Sequence, residues 1–218
     1  MKTFRKTNHG VSLLVMLLSV TFAMPQCTES AGTDESLASN NELNDSALLA
    51  QQLTDDEVHG ILFMREEEKL ARDVYLYLYE ISQLRPFLNI SKSEQAHMDA
   101  IKYLIDTYEL EDPVGENPEG VFENEDLQQL YNELIEKGST SKEEALKVGA
   151  LIEEVDIIDL RTELEENAAN EDVVRVFENL RNGSERHLRA FVRVLKLNEV
   201  DYRPVLLDDE EFDRILSE

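Results

Sequence analysis

Apolar residues recur every three or four positions over most of the chain beyond residue 53, which is the spacing of one buried helix face. The pattern predicts four long helices, a shorter helix after a loop that contains proline and glycine, and a short C-terminal helix. Their predicted ranges, in chain order, are 54–84, 91–109, 124–137, 141–167, 170–197 and 208–216. The sequence therefore predicts an all-α fold, a four-helix bundle with a short crossover helix and a C-terminal helix.

Residues that favour helix ends set the predicted limits. Thr54 and Glu57, three positions apart, form the pattern of a capping box at the start of the first helix. Pro86 is expected to end that helix, because the residue before a proline avoids helical backbone angles. Gly138 is expected to stop the crossover helix. In the last long helix, Gly183 either breaks the helix or allows close packing against a neighbour.

The second predicted helix carries a carboxylate and an imidazole on its apolar face. Glu94 and His97 lie three positions apart and share that face with Ile101 and Leu104. Glu-x-x-His on an inward helix face is how four-helix bundles present ligands to a pair of metal ions. An alternative is that Ser91 and Glu94 form a capping box, with His97 an ordinary core histidine. The segment by itself leaves both interpretations open.

The other long helices also place ionisable residues within apolar stripes. Glu68 lies on the stripe of the first helix, Glu153 and Asp156 on that of the third long helix, and His187 on that of the fourth. Acids and histidines from four helices that meet in a core would carry a large desolvation penalty without a cation. The pattern therefore predicts a metal site. His59 has no partner at ligand spacing and is expected at the surface.

Solvated acidic faces are the alternative interpretation of several of these acids. Glu66, Glu67 and Glu68 are consecutive and can pair at helical spacing with basic residues such as Lys69. Two of the three are expected to face solvent. Glu154 is one position off the apolar stripe and is expected to be exposed.

Composition excludes some classes of function. The chain has 21 lysine and arginine residues against 47 aspartate and glutamate residues, a formal net charge of -26. Such a charge excludes a general electrostatic binder of nucleic acid and argues against adhesion to anionic membranes. It favours attraction of cations.

The N-terminus has the pattern of an export signal. Three basic residues precede a short apolar run, 11–23, which predicts a cleaved signal peptide over 1–26 and a periplasmic or extracellular location. Residues 27–53 are polar and lack periodicity, and are predicted to be a disordered linker before a helical domain, 54–218. Lipid attachment at Cys27 is the less favoured alternative, because Gln26 suits that modification poorly. A single cysteine permits no internal disulfide.

Several motifs resemble the ligand segments of rubrerythrin-like proteins. The stretch EKLARDVYLY from Glu68 is similar to their first helix, EQAH from Glu94 to their Glu-x-x-His, and EEVD from Glu153 to their third-helix Glu-x-x-Glu. The region 54–216 as a whole resembles an uncharacterised family of the ferritin-like superfamily. The resemblance implies a ferritin-like bundle in which Glu94 and Glu153 bridge two metal ions.

One position departs from that resemblance. Di-iron proteins of this superfamily carry glutamate three residues before the fourth-helix histidine, whereas this chain has Ser184 there. The predicted ligands are Glu68, Glu94, His97, Glu153, Asp156 and His187, and Asp156 is the residue expected to compensate for Ser184. We expect two iron ions, or one if Ser184 weakens the second position, with manganese and zinc as alternatives.

The expected chemistry is reduction of oxygen or peroxide, or oxidation of ferrous iron, in a monomer or homodimer that has no membrane span. Tyr75, Tyr77 and Tyr103 are expected mainly to pack in the core, with hydrogen bonding or electron relay near the metals as the alternative. Two other classes stay open, which are a protein that binds metal without turnover and a structural bundle with a metal-free polar core.

Overall fold

The computed structural model describes residues 52–217, and every regular element in that range is helical. The helices are α1 (Asp55–Ser82), α2 (Arg85–Thr107), α3 (Glu125–Gly138), α4 (Lys142–Thr162), α5 (Glu171–Leu197) and α6 (Asp209–Ser217), with a π-helical turn, Glu163–Asn167, continuing α4. The predicted all-α helical bundle is confirmed. The predicted signal peptide and almost all of the predicted linker lie outside the described residues.

Side-chain caps begin four of these helices, as their sequences suggest. Thr54 and Glu57 form the predicted capping box at the start of α1. Asn124, Ser141 and Asn170 cap α3, α4 and α5 by accepting hydrogen bonds from backbone N–H groups of the first turn. The predicted limits of these helices agree with the structure to within a few residues, apart from the turn between α1 and α2.

The turn between α1 and α2 is shorter than the sequence predicts. Gln83 adopts a left-handed backbone conformation with φ of 57°, and α2 begins at Arg85. Pro86 therefore lies in the first turn of α2, where its missing N–H needs no partner, and does not act as a breaker after α1. Ser91 is inside α2 and donates to the carbonyl of Leu88, so the capping-box interpretation of Ser91 and Glu94 is wrong.

The core is divided into two apolar clusters along the length of the bundle. Helix α1 packs mainly on α2, and α4 on α5, while α1–α4 and α2–α5 contacts join the two pairs. One cluster includes Tyr75, Phe87 and Phe191, and the other includes Met64 and Phe177. Along α1, α2 and α5, Glu68, Glu94 and His187 each lie between residues of the two clusters, and along α4 Glu153 and Asp156 lie at the end of the first cluster, before Leu160 of the second. The site is thus enclosed at both ends by apolar packing.

A buried ion pair holds the loop that leads into α3. Lys69 is fully buried, with its Nζ 2.6 Å from Asp73 Oδ2 and 4.4 Å from the ring centroid of Phe122. Lys69 also donates to the carbonyl of Pro118, and the N–H of Gly120 donates to Asp73. Lys69 therefore does not form the surface ion pair with the neighbouring glutamates that its spacing suggested.

Two more buried acids bind backbone amides of distant segments. Glu66 accepts from the N–H groups of Glu123 and Asn124, at 2.6 and 3.0 Å. Glu154 is 0% exposed and accepts from the Tyr202 hydroxyl and from three consecutive N–H groups, 205–207. The predictions that Glu154 is exposed and that two of the acids 66–68 face solvent are wrong, because distant backbone donors satisfy Glu66 and Glu154, and Glu67 and Glu68 are also buried.

The C-terminal segment packs on the bundle. Tyr202, Leu207, Phe212 and Ile215 are buried, and Leu206 is half-buried. No helix within residues 52–217 combines the length and apolar character needed to cross a membrane.

Candidate metal centre

Four helices bring the predicted ligand residues to one buried layer. Five of the six are almost fully buried, and only His97 is classed as half-buried. The residues and their helices are Glu68 from α1, Glu94 and His97 from α2, Glu153 and Asp156 from α4, and His187 from α5. His59, in contrast, is exposed at the start of α1, as predicted.

The first group of potential ligand atoms comes from α1 and α2. His97 Nδ1 lies 3.1 Å from Glu68 Oε2 and 2.8 Å from Glu94 Oε2. One ligand atom from each of the three residues falls within 4.8 Å of the other two, which is close enough to surround a single ion. Two carboxylates and an imidazole are ligands that iron, manganese and zinc accept.

The second group joins α2 to α4 and α5. His187 Nδ1 lies 2.9 Å from Glu94 Oε1 and 3.5 Å from Glu153 Oε2, and the three ligand atoms again fall within 4.8 Å of one another. Glu94 belongs to both groups, with one oxygen toward each histidine. This is the arrangement of a carboxylate between two metal positions. Glu153, expected by resemblance to be a second bridge, belongs to one group only.

Several of these atoms lack hydrogen-bond partners among the described residues. They are Glu68 Oε1, both oxygens of Glu94, Asp156 Oδ1 and His187 Nδ1. The Glu94 oxygens lie at ion-pair distance from the two histidines, 2.8 Å from His97 Nδ1 and 2.9 Å from His187 Nδ1. Burying charged atoms without partners is costly. The donor set therefore fits a cation in each of the two groups, with Asp156 beside them.

The two imidazoles hold protons tightly when no metal is present. Burial opposes a charge on His97, but Glu68 and Glu94 outweigh it and raise its pKa to about 11. Burial likewise opposes a charge on His187, and Glu153 and Glu94 raise its pKa to about 10. The carboxylates thus attract positive charge strongly at this point, whether the charge is a proton or a metal ion.

Burial and the neighbouring histidines change the pKa values of Glu68 and Glu94 to different extents. Burial raises the pKa of Glu68 to about 7, although His97 counteracts it. For Glu94 the burial effect is overcome by His187 and His97, which bring its pKa to about 2. Glu94 is therefore the acid that stays ionised, as a residue between two cations must.

Asp156 lies beside the two groups and belongs to neither. Its Oδ2 accepts a hydrogen bond of 2.7 Å from Ser184, while Oδ1 has no partner among the described residues. Burial, followed by the charges of Glu68, Glu153 and Glu94, raises the pKa of Asp156 well above its ordinary value. Ser184 therefore orients Asp156, the acid that was expected to compensate for having serine rather than glutamate at position 184.

Three further residues position the predicted ligands. Tyr75 donates a 2.5 Å hydrogen bond to Glu153 Oε1, and its ring also packs 5.3 Å from that of Phe191. Ser93 Oγ lies 3.0 Å from His187 Nε2, which leaves Nδ1 toward the carboxylates. Sequence reasoning missed Ser93, because a serine beside Glu94 gives no periodic signal.

Gly183 is the third, and it does not break α5. A Cβ atom at this position would lie 2.5 Å from His97 Nε2, so the glycine allows the close approach of α5 and α2 that was one of its two predicted roles. Of the other tyrosines, Tyr77 packs half-buried against the core as expected. Tyr103 is 56% exposed, so its predicted core position is wrong.

The histidines form the edge of the site nearest to solvent. The side chains of His97 and His187 are each 11% exposed and their rings stack with centroids 5.5 Å apart, whereas Glu68 and Glu94 are fully covered.

Comparisons with known proteins agree with the helical fold, and the matched family region includes all six predicted ligand residues. A family described as "Uncharacterized protein domain (DUF2202)" matches residues 57–218. The chain is 48% identical over 172 residues to "Uncharacterized protein MJ0754" of Methanocaldococcus jannaschii, an alignment that covers 79% of this chain and 92% of that protein. The crystal structure of hypothetical protein MJ0754 aligns with a TM-score of 0.75, covering 77% of this chain and 95% of that one.

Proposed function

Starting from the fact that the chain belongs to the DUF2202 family, we propose that it is a metal-binding protein of the ferritin-like type. The observation that carries the proposal is the pair of three-residue ligand groups that share Glu94. Each group combines buried carboxylates with one histidine, and several of their atoms lack any other partner among the described residues. A cation in each group would remove that desolvation penalty.

Iron is the metal that we propose. Carboxylate oxygens with a minority of imidazole nitrogens suit iron, and they also suit manganese or zinc. The two groups could take two ions with Glu94 between them, and Asp156 would serve as a further ligand near the second position. One ion is the expectation if the Ser184 hydroxyl, which replaces a carboxylate, leaves the second position weak.

The proposed chemistry is reduction of oxygen or peroxide, or oxidation of ferrous iron. Bound iron would supply the electrons for that chemistry. The protein would hold Glu94 ionised, keep Glu153 in place through the Tyr75 hydroxyl, and orient His187 through Ser93. Apolar clusters on both sides would exclude bulk water and large molecules, which favours oxygen or peroxide as the partner over an extended substrate.

Metal binding without turnover is the second candidate. The Ser184–Asp156 hydrogen bond favours it, because it engages one oxygen of an acid that lies beside the ligand groups. A site with fewer free carboxylates would hold a metal ion with less capacity to change its coordination during a reaction.

Metal analysis of two histidine variants tests the proposal. His97→Ala should lower the iron content of reconstituted protein, because it removes a ligand of the first group. His59→Ala, on the same bundle but exposed, should leave the iron content at that of the wild type. Equal loss in both variants, or no stoichiometric iron, manganese or zinc in the wild type, would contradict a metal centre.

Anaerobic loading with ferrous iron then separates the enzyme from the binder. Addition of peroxide or oxygen should give fast oxidation that repeats when a reductant is supplied. A single slow oxidation would indicate a binding protein. Stopped-flow absorbance of the iron chromophore, with His97→Ala as the control, measures both the rate and the number of cycles.

Export is a separate part of the proposal. It depends on the basic and apolar pattern of residues 1–26, which lie outside the described residues. Expression of the full chain with a C-terminal tag, followed by fractionation and N-terminal sequencing, should locate a shortened protein outside the cytoplasm. An intact N-terminus in the cytoplasm would contradict export.

A further inference from the structure

One tyrosine hydroxyl is bonded directly to a residue of the second ligand group. Tyr75 on α1 is 0% exposed, and its hydroxyl lies 2.5 Å from Glu153 Oε1 and 3.3 Å from the carbonyl of Gly149. The other oxygen of Glu153 lies 3.5 Å from His187 Nδ1, within the same group. A hydrogen bond as short as the one to Glu153 is typical of a hydroxyl that donates to a carboxylate. A single carboxylate therefore separates the Tyr75 phenol from the place where this group would hold an ion.

The ring of Tyr75 lies among aromatic side chains of two other helices. Its centroid is 5.9 Å from that of Phe87 on α2 and 5.3 Å from that of Phe191 on α5. All three side chains are 0% exposed. Packing of this kind keeps water and dissolved reductants away from the phenol. A radical formed on this ring would therefore be enclosed by side chains that do not react with it.

Few side chains of this chain can give up a single electron. The sequence has no tryptophan, and its one cysteine, Cys27, lies outside the described residues. Tyr103 is 56% exposed, and the hydroxyls of Tyr108 and Tyr202 are bonded to residues outside the ligand groups. Tyr75 is thus the tyrosine whose hydroxyl the structure bonds to the proposed metal centre.

Reduction of peroxide takes more electrons than one ferrous ion gives. Hydrogen peroxide needs two electrons to become hydroxide and water, whereas ferrous iron gives one as it becomes ferric. A chain that holds one iron ion, the expectation if Ser184 weakens the second position, is therefore one electron short. A phenol that loses one electron together with its proton becomes a neutral radical, and the Tyr75 proton already lies in a hydrogen bond to Glu153.

We propose that Tyr75 supplies the second electron when a chain with one bound ferrous ion reduces peroxide, an inference that rests on the proposed metal function. Tyr75 gives up one electron, and its O–H bond breaks as the proton leaves along the hydrogen bond to Glu153. The O–O bond of peroxide also breaks, and the proton ends in water. One hydrogen peroxide, one ferrous ion and the phenol thus become one hydroxide, one water, one ferric ion and a tyrosyl radical.

Freeze-quench EPR of protein with one ferrous ion per chain tests this assignment. The protein is loaded anaerobically and mixed with hydrogen peroxide, and samples are frozen over a time course. The wild type should give a free-radical signal as ferric iron appears, and ring-deuterated tyrosine should narrow that signal. Oxidation of the iron by peroxide without a tyrosine radical overturns the proposal.

Two tyrosine variants assign the radical to a position. Tyr75→Phe keeps a ring of the same shape and removes the hydroxyl, so the signal should be lost. Tyr103→Phe, at an exposed position, should keep it. The proteins are compared at equal bound iron, because loss of the hydrogen bond to Glu153 can change metal affinity. A signal retained in folded Tyr75→Phe overturns the proposal.

The ratio of ferric iron to peroxide is a second readout, which a merely positioning role of Tyr75 would not change. With peroxide limiting, the wild type should form one ferric ion for each peroxide. Tyr75→Phe should form twice as many, because the second electron must then come from the iron of another chain. Mössbauer spectroscopy counts the ferric ions, and equal ratios in the two proteins overturn the proposal.

The same samples distinguish this inference from the proposed function. Wild-type protein that binds no iron after anaerobic loading contradicts the metal centre, and the inference with it. Iron that binds and is oxidised by peroxide, with no radical and with the same ratio in Tyr75→Phe, leaves the metal function intact and overturns the role of Tyr75 alone.

Discussion

Glu94 and Glu154 are equally buried, yet their surroundings differ completely. Both are 0% exposed and both lie on long helices of the bundle. Glu154 accepts hydrogen bonds from a tyrosine hydroxyl and three backbone N–H groups of the C-terminal segment. Glu94 has histidine nitrogens at ion-pair distance and no hydrogen bond among the described residues. Burial of an acid therefore does not by itself indicate a metal site.

The same contrast separates Glu66 and Asp73 from Glu68 and Asp156. Glu66 and Asp73 resemble Glu154, because backbone amides or a buried lysine meet their oxygens. Glu68 and Asp156 resemble Glu94, since each keeps an oxygen without a partner among the residues described. The first kind holds loops to the helices, and the second kind surrounds a place where a cation fits. Four predictions test this distinction.

The largest effect is expected at Glu154. Glu154→Ala would leave three N–H groups and a hydroxyl without their acceptor, and should lower the free energy of unfolding by roughly 3–5 kcal/mol. Urea denaturation measures the change. The matched control is Glu143→Ala on the same helix, an exposed position where less than about 0.5 kcal/mol is expected. Metal content of folded Glu154→Ala should equal that of the wild type, and a loss there would remove the distinction between the two kinds of acid.

Glu94→Gln is expected to affect metal binding, whereas Glu154→Ala is expected to affect stability. The amide keeps the shape of the side chain but removes the charge shared by the two ligand groups, so metal affinity should fall by about a hundredfold or more. Competition with a metal chelator measures the affinity. Glu133→Gln, an exposed acid on α3, is the control. Wild-type affinity in Glu94→Gln would indicate that Glu94 is a structural acid like Glu154.

The stability of metal-free protein should depend on pH through the two histidines. Their folded pKa values of about 11 and about 10 exceed the ordinary value of 6.5, so their contribution is complete below that pH and declines as pH rises through the folded pKa. Between about pH 7 and 9 the free energy of unfolding should fall, with a slope of up to about 1.4 kcal/mol per pH unit for each histidine. Urea denaturation with a chelator present measures it.

Metal-loaded protein provides the comparison for that pH series. Histidines that bind metal carry no exchangeable proton at the ligand atom, so the slope should be shallower. His97→Gln in the metal-free state should also reduce the slope. Stability that stays constant or rises over this pH range in the metal-free wild type would contradict the arrangement of the histidines among carboxylates.

The smallest effect is expected at Gly183. Gly183→Ala would place a methyl group against the His97 ring, with its Cβ 2.5 Å from Nε2, and should weaken metal binding about tenfold by moving the ring. Stability should change little, because alanine favours the helix by about 1 kcal/mol. Gly60→Ala is the control, since its methyl group would meet only the movable end of Glu163. Equal metal affinity in both variants would remove Gly183 from the site.

Helical periodicity was enough to predict the long helices and the inward direction of the six acids and histidines. Each of those side chains lies on the same 3.6-residue stripe as its apolar neighbours, so a local pattern determines its face. The turn at Gln83 and Pro86 was misplaced, because proline suits the first turn of a helix as well as the position after one.

Only the tertiary structure decided which buried acids face a possible cation and which face an amide. Glu66 and Glu154 find their donors about 50 residues further along the chain, in segments without periodicity. Ser93 and His187 are likewise partners that lie far apart, 94 residues in sequence. Local pattern determines the direction of a side chain, whereas its partner depends on how distant loops and helices pack, which is why the sequence predicted the ligand stripe and not the surroundings of each acid.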